Sequence, residues 1–106
     1  MGKIEELNDS NFKETLAGKP LVLVDIHASW CGPCRLFAPI FEKVSEKYQG
    51  QIPFYKIDGD ENPGCREELN IENLPYIAAY RDGKFIKGYS TSTEEGLEEF
   101  IRSLHS

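Results

Sequence analysis

The sequence has no long apolar run and few basic residues. It contains no run of about 18 apolar residues, so we expect no membrane-spanning segment. The opening segment MGKIEELNDSNF lacks the apolar centre of a signal peptide, and Glu6 breaks the N-myristoylation pattern, so we expect a cytoplasmic protein. Lys and Arg number 12 against 18 Asp and Glu, and the net charge of −6 comes without a basic cluster. We therefore expect no nucleic-acid partner.

Cysteine is also scarce. Three cysteines in 106 residues are too few, and odd in number, for a secreted scaffold held by several disulfides. Hydrophobic residues make up 40% and charged residues 28%, which is the composition of a soluble globular protein. The length suits a single domain over residues 1–106, which we expect to be monomeric.

The hydrophobic pattern predicts the element order α-β-α-β-α-β-β-α. This order favours an α/β fold with a central mixed sheet and helices on both faces. The nearly continuous apolar run 21–26 predicts a buried strand, and residues 52–58 predict a second one. Asp82-Gly83 between the extended segments 76–80 and 84–89 indicates a hairpin.

Helices are predicted at four places along the chain. The first covers residues 8–16, with Asn11 and Glu14 as capping partners, and a short one lies within residues 60–70. Two are longer: the helix at 34–48 contains Pro39, which should bend it, and the last helix begins with a capping box. The predicted apolar face of the helix at 34–48 consists of Leu36, Ile40, Phe41 and Val44. In the last helix, Ser92 and Glu95 form the predicted capping box, and the predicted apolar face consists of Leu97, Phe100, Ile101 and Leu104.

Two cysteines stand three residues apart in the segment VDIHASWCGPCR, directly after the first predicted strand. If a helix begins at or just after Cys31, free N–H groups and the helix dipole favour a thiolate there, lowering its pKa from about 8.5 to near 7 or below. Pro33 suits the first helical turn, where a missing N–H costs nothing. Residues three apart on a helix have their Cα atoms roughly 5.5 Å apart, which is the separation that a disulfide requires. We predict a redox pair in which an exposed Cys31 attacks and a shielded Cys34 resolves the mixed disulfide.

Zinc binding is the alternative interpretation of this spacing. Four ligands could come from His27, Cys31, Cys34 and Cys65. A structural zinc site usually has a second closely spaced pair, whereas Cys65 stands alone far along the chain. The pattern therefore favours redox chemistry over a metal site.

The motif residues together resemble the thioredoxin family over essentially the whole chain. They are VD at 24–25, WCGPC at 30–34, Asn62-Pro63, LPY at 74–76 and RDGK at 81–84. The resemblance implies a thioredoxin fold and dithiol–disulfide exchange with protein substrates. It further implies that a flavin-dependent reductase restores the dithiol, and that no metal or organic cofactor is needed.

The resemblance also implies roles for residues around the cysteines. Asp25 interrupts an apolar strand, and a buried carboxylate is costly unless it is protonated or paired. The family places a proton-shuttling aspartate there, so Asp25 is the expected general acid/base, accompanied by Lys56. The alternatives are an aspartate at a frayed strand end and an exposed strand lysine.

Substrate contacts are expected on either side of the Cys31-Gly32-Pro33-Cys34 turn. Trp30 resembles the exposed contact aromatic of the family, the alternative being a core aromatic. Pro75 matches a cis-proline opposite the cysteines, which leaves the Leu74 backbone able to pair with an extended substrate segment.

The sequence also departs from the family pattern. His27 replaces an aromatic residue; a charged His27 would stabilise the Cys31 thiolate and make the protein more oxidising, whereas a neutral one would only fill space. Tyr76 replaces Thr after Pro75 and should narrow or re-line the substrate groove. Cys65 matches no motif position, and an inert, half-buried thiol is favoured over a glutathionylation site or a dimer link.

Two other functions stay open at this stage. One is a specialised or more oxidising relative, with electron flow altered by His27. The other is a binding module that docks a partner through Trp30, Pro75 and Tyr76, which the intact cysteine pair argues against.

Overall fold

A computed structural model describes residues 4–67, 69 and 71–105. Five strands and four helices occur in this part of the chain. In chain order they are β1 (Glu5–Leu7), α1 (Phe12–Leu16), β2 (Val22–His27), α2 (Gly32–Lys47), β3 (Phe54–Asp58), α3 (Pro63–Glu67), β4 (Tyr76–Arg81), β5 (Lys84–Ser90) and α4 (Glu94–Ser103). Within the described ranges, none of the helices has the length and apolar character needed to cross a membrane.

The five strands form one mixed sheet in the order β1-β3-β2-β4-β5. β3 pairs in parallel with both β1 and β2, whereas β4 runs antiparallel to β2 and to β5. β2 is therefore central, which explains its continuous apolar sequence, because a strand covered on both faces has no solvent-facing side. The predicted mixed α/β sheet is confirmed.

Two apolar clusters cover opposite faces of the sheet. Val22, Val24 and Ile26 belong to one cluster with Phe12 of α1, which we call the first core. Leu23, between them, belongs to the second core with residues of α2 and α4. Because side chains alternate along a strand, Asp25 and His27 share the second-core face with Leu23.

The chain reversal between β4 and β5 is the predicted hairpin. Arg81 pairs with Lys84, leaving Asp82 and Gly83 as a two-residue loop. Both loop residues have positive φ, 54° and 81°, as a type I′ turn requires. The register shifts between Ala79 and Tyr80.

The structure corrects several sequence-based expectations about elements. β1 was not predicted. The first helix begins at Phe12 rather than residue 8, and its N-cap Asn11 makes no side-chain capping bond. The last helix is capped by Thr93, whose hydroxyl accepts from Gly96 N–H, rather than by Ser92 and Glu95.

Helix α2 also differs in its buried face. Phe37 is fully buried, whereas Leu36 is 75% exposed, so the predicted apolar stripe is off by one residue at its start. Phe41 and Val44 are buried as expected, and Pro39 lies inside the helix, which continues to Lys47. The short helix predicted within 60–70 is observed as α3, and Glu68 and Asn70 of that segment lie outside the described residues.

Candidate active site

Cys31 and Cys34 lie at the N-terminal end of α2. Cys31 is the N-cap residue in an extended conformation, and Gly32 and Pro33 begin the helix. The cysteines form a disulfide with their Cα atoms 5.3 Å apart. The backbone N–H of Cys34 donates to Cys31 Sγ at 3.2 Å. The positive end of the helix dipole therefore faces the Cys31 sulfur, as the sequence predicted.

Exposure does not distinguish the two cysteines. Each is 4% exposed in the disulfide form, which corrects the expectation of an exposed Cys31 beside a shielded Cys34. The pair is nevertheless asymmetric, because each cysteine borders a different depression in the surface. Cys31 lines one and Cys34 lines the other.

The depression beside Cys31, which we call the Trp30 groove, has a volume of about 350 Å³. Its lining residues are Trp30, Cys31, Gly32, Pro33, Arg66, Ile71, Glu72, Asn73 and Leu74. Four of the predicted contact and motif residues thus line the groove beside the Cys31 sulfur: Trp30, Gly32, Pro33 and Leu74.

The depression beside Cys34, which we call the Asp25 cleft, has a volume of about 270 Å³. Its lining residues are Asp25, His27, Ala28, Ser29, Cys34, Arg35, Ala38 and Lys56. Asp25 and Lys56, the predicted general acid/base and its lysine, therefore border Cys34 rather than Cys31.

Asp25 is the buried carboxylate of the cleft. It is 4% exposed, and its Oδ1 has no hydrogen-bond partner among the described residues. Burial raises the pKa of Asp25 to about 7, and the positive charge of Lys56 opposes part of that rise. Lys56 is placed for this because it stands opposite Asp25 in the β2–β3 register. Asp25 can therefore hold or release a proton near neutral pH.

His27 lies two residues beyond Asp25 on the same face of β2. Its Nε2 is 3.5 Å from Oε2 of Glu6 on β1, without a hydrogen bond to any described residue. Glu6 was not predicted, because nothing in the local sequence indicates that residue 6 lies near residue 27. A carboxylate beside the imidazole offsets any positive charge that His27 carries.

Trp30 is 65% exposed, as expected of a contact aromatic rather than a core residue. Its indole Nε1–H donates to Oδ2 of Asp60, and Arg66 Nη1 donates to Oδ1 of the same carboxylate at 3.3 Å. Asp60 and Arg66 were missed by sequence reasoning. The one available signal was that Asp60 follows the carboxyl end of β3, which lies next to the carboxyl end of β2.

The Leu74–Pro75 peptide bond is cis, which confirms that expectation from the resemblance. Leu74 packs against the cluster formed by Ala28, Cys31 and Cys34. Pro75 therefore directly follows a residue that contacts the disulfide region.

Tyr76 is placed differently from the other predicted contact residues. Its side chain packs against the first core, and its ring lies over Gly88 of β5, where any Cβ would overlap it. The side chains that line the Trp30 groove do not include it. Its effect on the groove stays a prediction.

Cys65 is 5% exposed and belongs to the first core, so it is more buried than expected. It lies on the face of the sheet opposite His27. In the ranges that the structure describes, no group of three or more His, Cys, Asp or Glu side chains could hold a metal ion. The four candidate zinc ligands are therefore not brought together.

Comparisons with known proteins agree with this geometry. The model of the thioredoxin family matches residues 3–103. A thioredoxin of Gallus gallus is 34% identical over 101 residues, covering 95% of each chain. The chloroplastic M-type thioredoxin of Spinacia oleracea is 37% identical over 83 residues, and the match spans 77% of this chain but 46% of the relative. The solved structure of a Plasmodium falciparum thioredoxin superposes with a TM-score of 0.87 at 29% identity, covering 94% of this chain and 98% of that one.

The chain belongs to the thioredoxin family. It has the thioredoxin fold and is a thiol–disulfide oxidoreductase whose redox pair is Cys31 and Cys34. The predictions of family, fold and reaction class are confirmed.

Proposed function

We propose that this protein reduces disulfides in protein substrates, acting as a monomeric, cytoplasmic enzyme of one domain over residues 1–106. The observation that carries the proposal is the asymmetry of the cysteine pair. Cys31 borders the Trp30 groove, where a substrate can approach, and Cys34 borders the Asp25 cleft, where a proton can be held. Thiol–disulfide exchange needs both environments, because one sulfur attacks the substrate disulfide and the other then displaces the substrate from the mixed disulfide.

The first step uses the dithiol form. The Cys31 thiolate attacks one sulfur of the substrate disulfide, forming a mixed disulfide, and the other substrate sulfur leaves as a thiolate. The N–H of Cys34 and the helix dipole of α2 stabilise negative charge on Cys31 Sγ. These groups favour the thiolate before attack.

The second step resolves the mixed disulfide. Asp25 takes the proton of the Cys34 thiol, and the Cys34 thiolate attacks Cys31 Sγ. The Cys31–substrate bond breaks, the second substrate thiolate leaves, and the Cys31–Cys34 disulfide remains. A group with a pKa of about 7 suits this transfer, because both its protonation states are populated near neutral pH. Lys56 opposite Asp25 favours the carboxylate that accepts the proton.

Substrate binding is assigned to the surface around Cys31. Trp30 offers an exposed aromatic face, and the Leu74 backbone can pair with an extended segment. Pro75 and Tyr76, which follow Leu74 in the chain, are the remaining proposed contact residues. A flavin-dependent reductase would return two electrons to the disulfide. We assign no role to nucleic acid or to a bound cofactor.

The test is reduction of insulin disulfides with dithiothreitol as electron donor. We expect the protein to accelerate insulin precipitation several-fold over dithiothreitol alone, and Cys31→Ser to abolish the acceleration. Cys34→Ser should instead accumulate a mixed disulfide with insulin that mass spectrometry detects. A wild-type rate equal to that of dithiothreitol alone would refute the proposed activity.

The role of Asp25 is tested separately. Asp25→Asn should leave the first attack intact and slow the decay of the mixed disulfide by about 10- to 100-fold at neutral pH, since general acid–base catalysis contributes at least this much. Rapid acid quenching with mass spectrometry measures that decay. An unchanged decay rate across pH 6–9 would remove Asp25 from the mechanism.

A further inference from the structure

The exposed indole of Trp30 is held at its edge by a single carboxylate. Asp60 uses one oxygen to accept the indole N–H and the other to accept from Arg66. The backbone of Asp60 is itself fixed, because its N–H donates to Asp58 Oδ1 at 2.9 Å. Asp58 is buried at the end of β3 and also accepts from Glu61 N–H at 3.1 Å. The orientation of the Asp60 side chain thus depends on Trp30 and Arg66.

Arg66 is anchored along its length. Its aliphatic stem lies over Gly59, where an added Cβ would be 3.0 Å from Arg66 Cδ. Its guanidinium reaches Asp60 from α3, and it lines the Trp30 groove together with Cys31. Among the described residues that line the groove it is the only cation and Glu72 is the only carboxylate, and the Asp60 carboxylate adds a second negative charge beside the indole. Arg66 therefore offsets the negative charge that would otherwise surround the indole.

We propose that Arg66 is a positioning residue for substrate docking, acting through Asp60 to hold the Trp30 indole at the rim of the groove. Without the guanidinium, the Asp60 carboxylate keeps one anchor and is free to turn toward solvent, taking the indole with it. The effect falls on binding of protein substrates, which contact the rim, and not on the sulfur chemistry. The proposal rests on the proposed function for its docking role, but the indole position is testable without it.

The kinetic test compares three variants. Arg66→Met keeps the stem over Gly59 and removes the charge, Arg66→Lys restores a cation, and Arg102→Gln makes the same charge change at an exposed site on α4. We expect Arg66→Met to raise KM for insulin by about two- to fivefold with kcat unchanged. Arg66→Met should reduce the small disulfide 5,5′-dithiobis(2-nitrobenzoic acid) at the wild-type rate. Arg66→Lys should bring KM for insulin most of the way back to the wild-type value, and Arg102→Gln should behave as wild type.

The spectroscopic test uses the fact that Trp30 is the only tryptophan in the chain. Time-resolved fluorescence anisotropy of the reduced protein therefore reports on this indole alone. Arg66→Met should increase the amplitude of its fast local motion, and Arg66→Lys should reduce it again. Thermal unfolding of each variant verifies that the fold is retained.

The outcomes separate the positioning role from its rivals. Greater indole motion with a higher KM supports the proposal. A higher KM without greater indole motion would mean that Arg66 contacts substrate directly, and this result would overturn the proposal. Greater indole motion without a change in KM would overturn it too. If the wild type reduces no insulin, the proposed function fails, and unchanged anisotropy in Arg66→Met would still refute the positioning of Trp30.

Discussion

At the scale of single residues, burial raises the pKa of Asp25 well above that of the free side chain. The carboxylate is buried, and the nearby positive charge of Lys56 offsets the effect of burial on its pKa only in part. An ionised carboxylate with an oxygen left without a hydrogen bond costs folding free energy. The residue proposed to move the proton therefore also weakens the fold.

This cost gives a pH-dependent stability. The pKa of Asp25 is about 7 in the folded protein against 3.8 for the free side chain. Between these values the folded state keeps a proton that the unfolded state has released, so stability from this group is full below about pH 4 and falls as pH rises through 7. We expect Asp25→Asn to raise the free energy of unfolding by about 2–4 kcal/mol at pH 8, and by roughly half as much or less at pH 5.

Urea unfolding of the disulfide form at the two pH values measures this difference. Glu99→Gln, which neutralises an exposed carboxylate, is the control and should change stability little at either pH. Equal stabilisation of Asp25→Asn at pH 5 and pH 8 would contradict the assignment of a raised pKa.

The position of the Tyr76 ring requires a glycine at position 88. The Tyr76 ring occupies the space where a side chain on Gly88 would stand, on the neighbouring strand. We expect Gly88→Ala to destabilise the protein by about 1–3 kcal/mol, since the ring must move from its place against the first core. In a Tyr76→Thr background the same change should cost much less, and denaturant unfolding of the double-mutant cycle gives the coupling. Additive effects would show that the ring is not what excludes a side chain at Gly88.

At the scale of elements, the N-terminus of α4 depends on one side chain. Thr93 Oγ1 accepts from the N–H of Gly96 at 3.0 Å. Because the residue at that position is glycine, no side chain returns a second bond, and the cap is one-sided. Leu97, Phe100 and Ile101 then lie on the buried face, as the spacing predicted. The helix is held by this cap at one end and by the second core along its face.

Removing the Thr93 hydroxyl should lower the free energy of unfolding of the protein. We expect Thr93→Ala to lower the free energy of unfolding by about 1 kcal/mol, whereas Ser92→Ala should change it by less than about 0.5 kcal/mol. Thermal or urea unfolding distinguishes the two. A larger loss in Ser92→Ala than in Thr93→Ala would reverse the assignment of the cap.

At the scale of the whole molecule, the active site lies where several elements end together. β2 ends at His27 and β3 at Asp58, on neighbouring parallel strands, and α2 begins directly after Cys31. Carboxyl ends of parallel strands and helix N-termini are where α/β folds bind and react. The face shared by Glu6, Asp25, His27 and Lys56 follows from the strand register, since Lys56 stands opposite both Glu6 and Asp25. Charged side chains of three strands thus share the sheet face that borders the Asp25 cleft beside Cys34.

The reduction potential tests how these charges act together. Because the Glu6 carboxylate lies beside His27, we expect a potential near −270 mV, the value of a reductant, measured by equilibration with glutathione buffers. Glu6→Gln should raise it by about 10–30 mV, and adding His27→Trp should cancel that rise. A wild-type potential of about −180 to −120 mV would instead identify an oxidant and make His27 the first residue to replace.

Local sequence by itself was sufficient for the parts of this protein that depend on neighbours in the chain. The Cys31–Cys34 spacing, the Asp82-Gly83 hairpin and the apolar face of α4 are each encoded within a few residues, and all three are present in the structure. Resemblance to a family added the cis bond before Pro75, which no local pattern indicates. The predicted buried face of α2 and the predicted cap of α4 were each wrong by one residue, at Leu36 and at Thr93. Such errors arise because the sequence pattern fits two neighbouring positions equally well.

Tertiary structure alone decided the contacts that cross from strand to strand. β1 has one buried residue in three, so its pairing with β3, and not its own pattern, makes it a strand. The approach of Glu6 to His27 and the bridging of Trp30 to Arg66 by Asp60 join residues 21 to 36 positions apart. Such contacts depend on sheet register and loop path, which are properties of the packed chain. For this reason the sequence identified the cysteine pair and several side chains beside it, whereas Glu6, Asp60 and Arg66 became visible only in the fold.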